Sequence, residues 1–493
     1  MKNIATLFLK SFRNFNNFKM IFPEKQNNEG ENLNLNILIG RNGSGKSNLL
    51  DALFDIGIES EPSNVKFDFY TLDNTGENII SNYNSNKGIP VNIKNIDNDR
   101  YWDKVVRAHC SNTTRNKEYS GDYVRSVTRL DDTAPELSPY SGVKYSYFSD
   151  SVLDFNIDRS KFALFALILS GEYSKSLKEK HSLWSKLNKI VIEECINDED
   201  EDNNEKDDNK VNTKELKIKA IWIKAHQDNV NFEDNDKLPP CSNIIPCNDD
   251  ISGDMYCYYW TLTDIENFYT GLESQKKNED PNPAYTVLKE YLDEYYCYDM
   301  GFLYETEEKG DLYQSSSLSD GQRALLYRFA IVNLLKNEEE KCLLLLDEPE
   351  TYFNEYWKSY FVYLLWETLK DKPHDVFIAT HSAMLITDTK PEEVHRIVDT
   401  HDGAYHYKPQ VNTYGVSVVD IGKYLFMMES DIGNRAKKEI KEVLNQKLDD
   451  DTNKTRHLNS KINKLLRQVG PGEWRWKLRV KQKEVENKLL GSN

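Results

Sequence analysis

The sequence predicts an α/β fold with a mixed central sheet, an N-terminal β lobe, a helical/β insertion and a C-terminal helical region. Three apolar runs carry this prediction. Leu33 to Ile39 leads into Gly40-Arg41-Asn42-Gly43-Ser44-Gly45-Lys46-Ser47, and a helix-forming run, Asn48 to Phe54, follows. Cys342-Leu343-Leu344-Leu345-Leu346 stops at Asp347-Glu348-Pro349-Glu350 and reads as a strand buried on both faces of a parallel sheet. Asp375 to Thr380 is a further strand, ending in His381-Ser382.

In chain order, Ile4 to Leu9 alternates into Phe12-Arg13-Asn14-Phe15, and Lys19 to Phe22 reads as a second strand before the polar stretch Pro23 to Glu31. These strands form the β lobe. The glycine-rich turn between strand and helix aims several backbone N–H groups, with the positive end of the helix dipole, at one point where a phosphate chain can sit. Lys46 can reach the β- and γ-phosphates and Ser47 can ligate Mg²⁺, so ATP with Mg²⁺ is the expected ligand. Arg13 either contacts that nucleotide from the lobe or is a solvated loop arginine. Beyond the helix, Val65 to Tyr70 and Val105 to Ala108 are strand candidates, the latter running into the polar segment His109 to Arg115.

Lys161 to Leu169 is a compact apolar segment with Ser160 as its expected N-cap, far too short to cross a bilayer. Lys189 to Cys195 and Glu215 to Lys224 read as strands, and the acidic block Asn197 to Asp208 between them as a disordered hairpin tip. Helices are expected at Leu262 to Leu272 and Ala284 to Tyr298, with Tyr285, Tyr291, Tyr295 and Tyr296 as packing faces rather than base-stacking platforms. Ser319 followed by Gln322 has capping-box spacing and predicts a helix start before Ala324 to Leu335. At the next strand end Asp347 can hold the Mg²⁺ shell and Glu348 can polarise an attacking water, while His381 is the candidate γ-phosphate sensor.

Val394 to Val398 and Ala404 to Tyr407 form a hairpin around Asp402-Gly403. His401, Asp402 and His406 could coordinate a metal there, but residues beside a hairpin turn read as solvated. Helices follow at Val418 to Met427 and Asn434 to Lys447. Between Lys454 and Lys488 eleven Lys or Arg face three Asp or Glu, a local +8 interleaved with Trp474 and Trp476 in a chain whose net charge is −18. That asymmetry suits nucleic-acid backbone, a docking partner or a solvated helix. The overall acidity argues against general coating of nucleic acid. Seven scattered cysteines without a C-x-x-C pair signal neither zinc nor redox chemistry, and no leader or long apolar span is visible, so a soluble, cytoplasmic protein away from membranes is expected.

Taken together these motifs resemble the ABC-type ATPases of the SMC and RecF kind, over Ile4 to Asp51 and Gln314 to about Asp399. Gly40 to Ser47 looks like the Walker A loop of a P-loop ATPase head, Leu318-Ser319-Asp320-Gly321-Gln322 like the ABC signature with Asp320 in place of a glycine, Asp347-Glu348 like Walker B, and His381 like the switch histidine. Phe12 to Phe15 is similar to the segment that borders the nucleotide in repair members, and Gln227 is the candidate Q-loop residue. The resemblance implies a homodimer or higher homo-oligomer with composite ATP sites, in which Ser319, Gly321 and Gln322 contact a second subunit's nucleotide. It divides the chain into 1–150 and 311–412 as the two halves of the head, 151–310 as an inserted lobe and 413–493 as a basic docking region.

No sustained heptad pattern or zinc-hook cysteine is present, which excludes a long-armed tether. The size, Glu350 to Asn354 and Gly470 to Arg475 look most like the PtuA-like ATPases of bacterial anti-phage systems, Septu and retron-associated, with the ATPase of PARIS systems next. OLD-family nucleases share the ATPase but add a Toprim domain whose glutamate and paired aspartates are not seen after His381. This resemblance implies an ATP-hydrolysing regulatory subunit that controls a separate nuclease or toxin effector of HNH type, with no nuclease site of its own. The alternative is a RecF-like repair ATPase that binds DNA itself.

Overall fold

All three apolar runs lie side by side in one sheet. The computed structural model describes residues 3–22, 31–58, 66–72, 78–83, 102–109, 152–155, 159–179, 182–193, 216–226, 238–247, 255–274, 283–292, 297–305, 312–400, 403–428, 430–448 and 451–491. Its strands are β1 (Asn3–Phe12), β2 (Phe15–Ile21), β3 (Asn34–Ile39), β4 (Lys66–Leu72), β5 (Asn78–Tyr83), β6 (Lys104–His109), β7 (Val152–Phe155), β8 (Lys217–His226), β9 (Asn243–Pro246), β10 (Met255–Thr261), β11 (Cys297–Glu305), β12 (Leu312–Gln314), β13 (Cys342–Asp347), β14 (Asp375–Ala379), β15 (Val394–Thr400) and β16 (Gly403–Tyr407). Its α-helices are α1 (Lys46–Ile58), α2 (Ser160–Leu169), α3 (Glu172–Lys178), α4 (Leu183–Glu193), α5 (Leu262–Ser274), α6 (Pro283–Glu290), α7 (Asp320–Lys336), α8 (Glu355–Leu369), α9 (Ala383–Thr387), α10 (Val418–Leu425), α11 (Asn434–Leu444), α12 (Thr452–Gln468) and α13 (Glu473–Gly491). Chain contacts separate two units, Met1–Val416 and Ser417–Asn493.

The first unit is a mixed α/β structure around a seven-stranded sheet of order β16-β15-β3-β14-β13-β6-β7. Its strands are parallel from β15 to β7, and β16 adds antiparallel at the edge. β14 is buried throughout, as are all but one residue each of β3 and β13, which is what a central parallel strand covered on both faces requires. Ala379 pairs with both Leu38 and Asp347, so β3, β14 and β13 end level. The segments that leave them therefore emerge together at the carboxyl edge, where open α/β sheets bind ligands.

Around that sheet sit two antiparallel ones, β2-β1-β4-β5 and β12-β11-β8-β10-β9. Helix α1 lies between the N-terminal sheet and the main sheet: Leu7, Leu9, Phe15 and Phe18 from the lobe, Leu49 and Leu53 from the helix, and Leu343, Leu345 and Phe377 from the main sheet form one buried cluster. Helix α2 is apolar on every side and buried from Phe162 to Leu169, in contact with α6 and α7.

Three local expectations are corrected. Lys189–Cys195 does not start a strand, because α4 runs to Glu193 with Trp184, Leu187 and Ile190 buried at helical spacing. The β-branched run Ile190-Val191-Ile192 suggested a strand, and packing of that face overrides it. The helix expected over Ala284–Tyr298 stops at Glu290, and Cys297 already opens β11, a central partner of β8. At α2 the cap position belongs to Arg159, without a side-chain cap bond, rather than to Ser160. The acidic block 197–208, Gln227, Tyr295, Tyr296, His401, Asp402 and the segment 110–115 lie outside the described residues.

In the second unit α11, α12 and α13 enclose Ile440, Val443, Leu458, Ile462, Leu466, Leu478 and Val485. Among the described residues, no helix is long and apolar enough to cross a membrane.

Candidate functional site

The loop Gly40–Gly45 closes against the β lobe. Gly43 and Gly45 have φ of +81° and +99°. The left-handed conformation demands glycine at Gly45, where a Cβ would also lie 2.5 Å from the Asn14 amide and push that side chain aside. Asn14, in the β1–β2 turn, donates to Ser44 O at 3.3 Å and accepts from Asn48 Nδ2 at 2.9 Å, tying the lobe to the loop and to α1. Its neighbour Arg13, at φ +51°, donates to Asn48 Oδ1 at 2.8 Å and pairs with Asp51. The Arg13 guanidinium is thus held against α1. Asp51 also receives Arg107 of β6 at 3.2 Å, and Arg107 grips Asp154 of β7 through two bonds of 3.0 and 2.8 Å.

Lys46 is 5% exposed, and its Nζ donates to Gly40 O at 3.1 Å and Arg41 O at 3.4 Å. It also lies 2.7 Å from His381 Nε2. An ammonium has no lone pair, so this ring nitrogen accepts and the imidazole carries its proton on Nδ1. Burial lowers Lys46 to about 8, against the opposing charges of Glu348, Asp347 and Glu350. Burial and the Lys46 charge lower His381, with Glu348 opposing, so the imidazole is neutral near pH 7. His381 Nε2 is 3.5 Å from Glu348 Oε1.

Asp347 accepts from the Ser47 hydroxyl at 3.1 Å. Next to it, Glu348 adopts φ +48°, a left-handed conformation that costs a non-glycine residue about 1–3 kcal/mol. Its N–H nevertheless completes the ladder to Ala379 O at 2.8 Å, and its half-exposed carboxylate turns toward His381. Glu350 is buried, where it accepts from the Thr380 hydroxyl, which in turn accepts from Ser382 N at 2.9 Å. Burial raises the Glu350 carboxyl, with the Thr380 bond opposing.

Lys46, Ser47, Asp347, Glu348 and His381 thus form one cluster at the ends of β3, β13 and β14. The cluster fits a nucleotide: Ser44 Oγ, inside the loop, is buried with no hydrogen-bond partner, where a phosphate oxygen would satisfy it. It also fits Mg²⁺, which takes one or two protein oxygens beside water and phosphate oxygens, as Ser47 and Asp347 offer. No group of three or more His, Cys, Asp or Glu among the described residues could hold a metal by itself.

Of the signature residues at the start of α7, Ser319 and Asp320 are exposed, Gln322 is half-buried, and Leu318 and Gly321 are buried. Ser319 and Gln322 close the capping box, with bonds of 3.2 and 2.8 Å. A Cβ on Gly321 would lie 2.5 Å from Tyr352 O and 2.7 Å from the Trp357 ring. Asp320, which replaces a glycine of the signature pattern, pairs with Arg323 one turn on. His406, read as solvated, lies instead 3.0 Å from His395 Nδ1, and His395 Nε2 is 3.1 Å from Asn36 Oδ1 on β3. Sequence reasoning missed Asn14, Arg107, Asp154 and Glu350 as supports of the site. Only Glu350, the third acid of Asp347-Glu348-Pro349-Glu350, carried a readable signal.

Among curated proteins there is no match. Similar solved structures include the SMC head domain from Thermotoga maritima, 13% identical, covering 83% of this chain and 100% of that one with a TM-score of 0.33. They also include the Smc head domain with an extended coiled coil bound to the C-terminal domain of ScpA, derived from Pyrococcus furiosus, at 12% identity, 87% and 100% coverage and a TM-score of 0.32. At such scores the likeness bears no further conclusion. Residues 1–386, which hold the glycine-rich loop, Asp347-Glu348 and His381, match the AAA ATPase domain, and the chain belongs to that family.

Proposed function

We propose that the chain binds and hydrolyses ATP and acts as the regulatory subunit of a bacterial antiviral defence complex, controlling a separate effector, an HNH-type nuclease. The observation that carries the ATPase part is the cluster of Lys46, Ser47, Asp347, Glu348 and His381 at one sheet edge. Lys46 leaves its carbonyl partners for the β- and γ-phosphates, and the N–H groups of the loop fix the chain of phosphates. A Mg²⁺ ion held by Ser47 and Asp347 neutralises phosphate charge when bound. Glu348, pre-aimed by its strained backbone, orients a water and takes its proton. His381 senses the γ-phosphate once Lys46 lets go of Nε2 and the ring proton shifts to that nitrogen, which then donates to a phosphate oxygen.

The defence role, the effector and homodimerisation through Ser319, Gly321 and Gln322 at the start of α7 rest on the motif resemblance. A second reading, a repair ATPase that binds DNA itself, is favoured by the basic α12–α13 region. Lys46→Ala should abolish ATP binding, whereas Glu348→Gln should bind ATP and release no phosphate. Parental hydrolysis by Glu348→Gln would refute the assignment of the base. Copurification of a nuclease with the natively expressed chain supports the first reading; salt-sensitive duplex binding by the chain alone supports the second.

A further inference from the structure

Helix α13 turns one face inward and leaves an unusual face outside. Leu478 and Val485 are fully buried, with Trp474 and Leu489 packed on the same core. On the opposite face Arg475, Arg479 and Lys483 follow at four-residue steps, beside Trp476 and Val480. Trp476 is 64% exposed and Val480 39%, positions where a merely solvated helix carries polar side chains. All five residues, with Pro471 and Gly472, line one open groove of about 570 Å³.

The charges of this face are available. Lys477 and Lys481, elsewhere on the helix, are neutralised by Glu473 at 2.6 Å and Glu484 at 3.3 Å. Arg479 and Lys483 form no ion pair with a described residue. Arg475 is anchored through a bond to Val469 O, which fixes its guanidinium at the groove wall. Each four-residue step advances about 6 Å along the helix and turns about 40° around it, so the three cations form a gently slanting row rather than a cluster.

We propose that this groove binds single-stranded nucleic acid, with an unpaired base stacked on Trp476 and successive phosphates on Arg475, Arg479 and Lys483. A cationic row beside an exposed aromatic face is the pattern that tracks a strand without reading its sequence. A duplex hides its base faces and would leave the indole unused, and this preference goes beyond the ATPase reading and does not depend on it.

The test uses the full chain without nucleotide and fluorescence anisotropy of labelled 20-mers of about equal length: oligo-dT, oligo-U, a DNA duplex and poly-glutamate. Either single strand should bind at least about tenfold tighter than the duplex, and three neutralised phosphates give a salt slope of about −2. Trp476→Ala should weaken strand binding by about 5- to 150-fold. Arg479→Glu with Lys483→Glu should remove binding, and ATP turnover, measured separately, should be unchanged in both variants. Absent strand binding, equal affinity for the duplex, or an unchanged Trp476→Ala affinity overturns the proposal. So does equal competition by poly-glutamate, which assigns the groove to an acidic protein partner.

Discussion

Glu350 does its work through another residue. Its buried carboxyl holds the Thr380 hydroxyl, which holds Ser382 N, so the backbone on either side of His381 is fixed by a side chain from the neighbouring strand end. Glu350→Ala should release that backbone and lower kcat by about tenfold or more, since small displacements at a reacting centre are costly, with ATP affinity nearly unchanged. Glu350→Gln keeps the shape and an acceptor for Thr380 and should retain most of the activity. Equal kcat loss in both variants would show that the charge, rather than the bond, matters. The residues that the structure brings together at the sheet edge were legible because Lys46, Asp347, Glu348 and His381 each sit in a local pattern of loop or strand end. Their supports were not: Asn14 meets Ser44 across 30 residues and Arg107 meets Asp154 across 47, and no periodicity encodes such meetings.

Strands β3, β13 and β14 could be read because a strand buried on both faces is apolar along most of its length and ends where charge begins; the buried exceptions, Asn36 and Asp375, are hydrogen-bonded. The start of α7 was legible for a different reason, since a capping box is a contact within four residues. Helix α4 and the α6–β11 boundary failed because Ile190-Val191-Ile192 and the tyrosine-rich run near Tyr291 suit either state, and packing partners far along the chain decide. Packing also decides at Gly321. Alanine there would gain about 1 kcal/mol of helix propensity, but its methyl would meet the Tyr352 carbonyl, a backbone atom that cannot swing away. Overpacking of this kind costs about 1–3 kcal/mol, so the clash should win. Urea unfolding should show Gly321→Ala less stable than the parent; an equal or higher midpoint would mean that α7 slides freely over the segment after Glu350.

If two copies build each ATP site, with the loop of one and the start of α7 of the other, defects in the two parts should complement. Ser319→Arg should keep ATP binding and lose turnover. Mixed with Lys46→Ala, it should regain part of the activity, peaking near equal amounts, because one intact composite site forms per mixed pair. A flat response at every ratio would count against sites shared between copies. The sheet order has one more consequence, for synthesis. β3 is made early, but its neighbours β14 and β15 come late: Asn34 waits for Asp375 across 341 residues. At about 5–20 residues per second, β3 and the phosphate loop leave the ribosome about 17–70 s before β14 can pair with that strand. A stalled or truncated product that ends before β13 should therefore not hydrolyse ATP, since Asp347, Glu348 and His381 are all still untranslated.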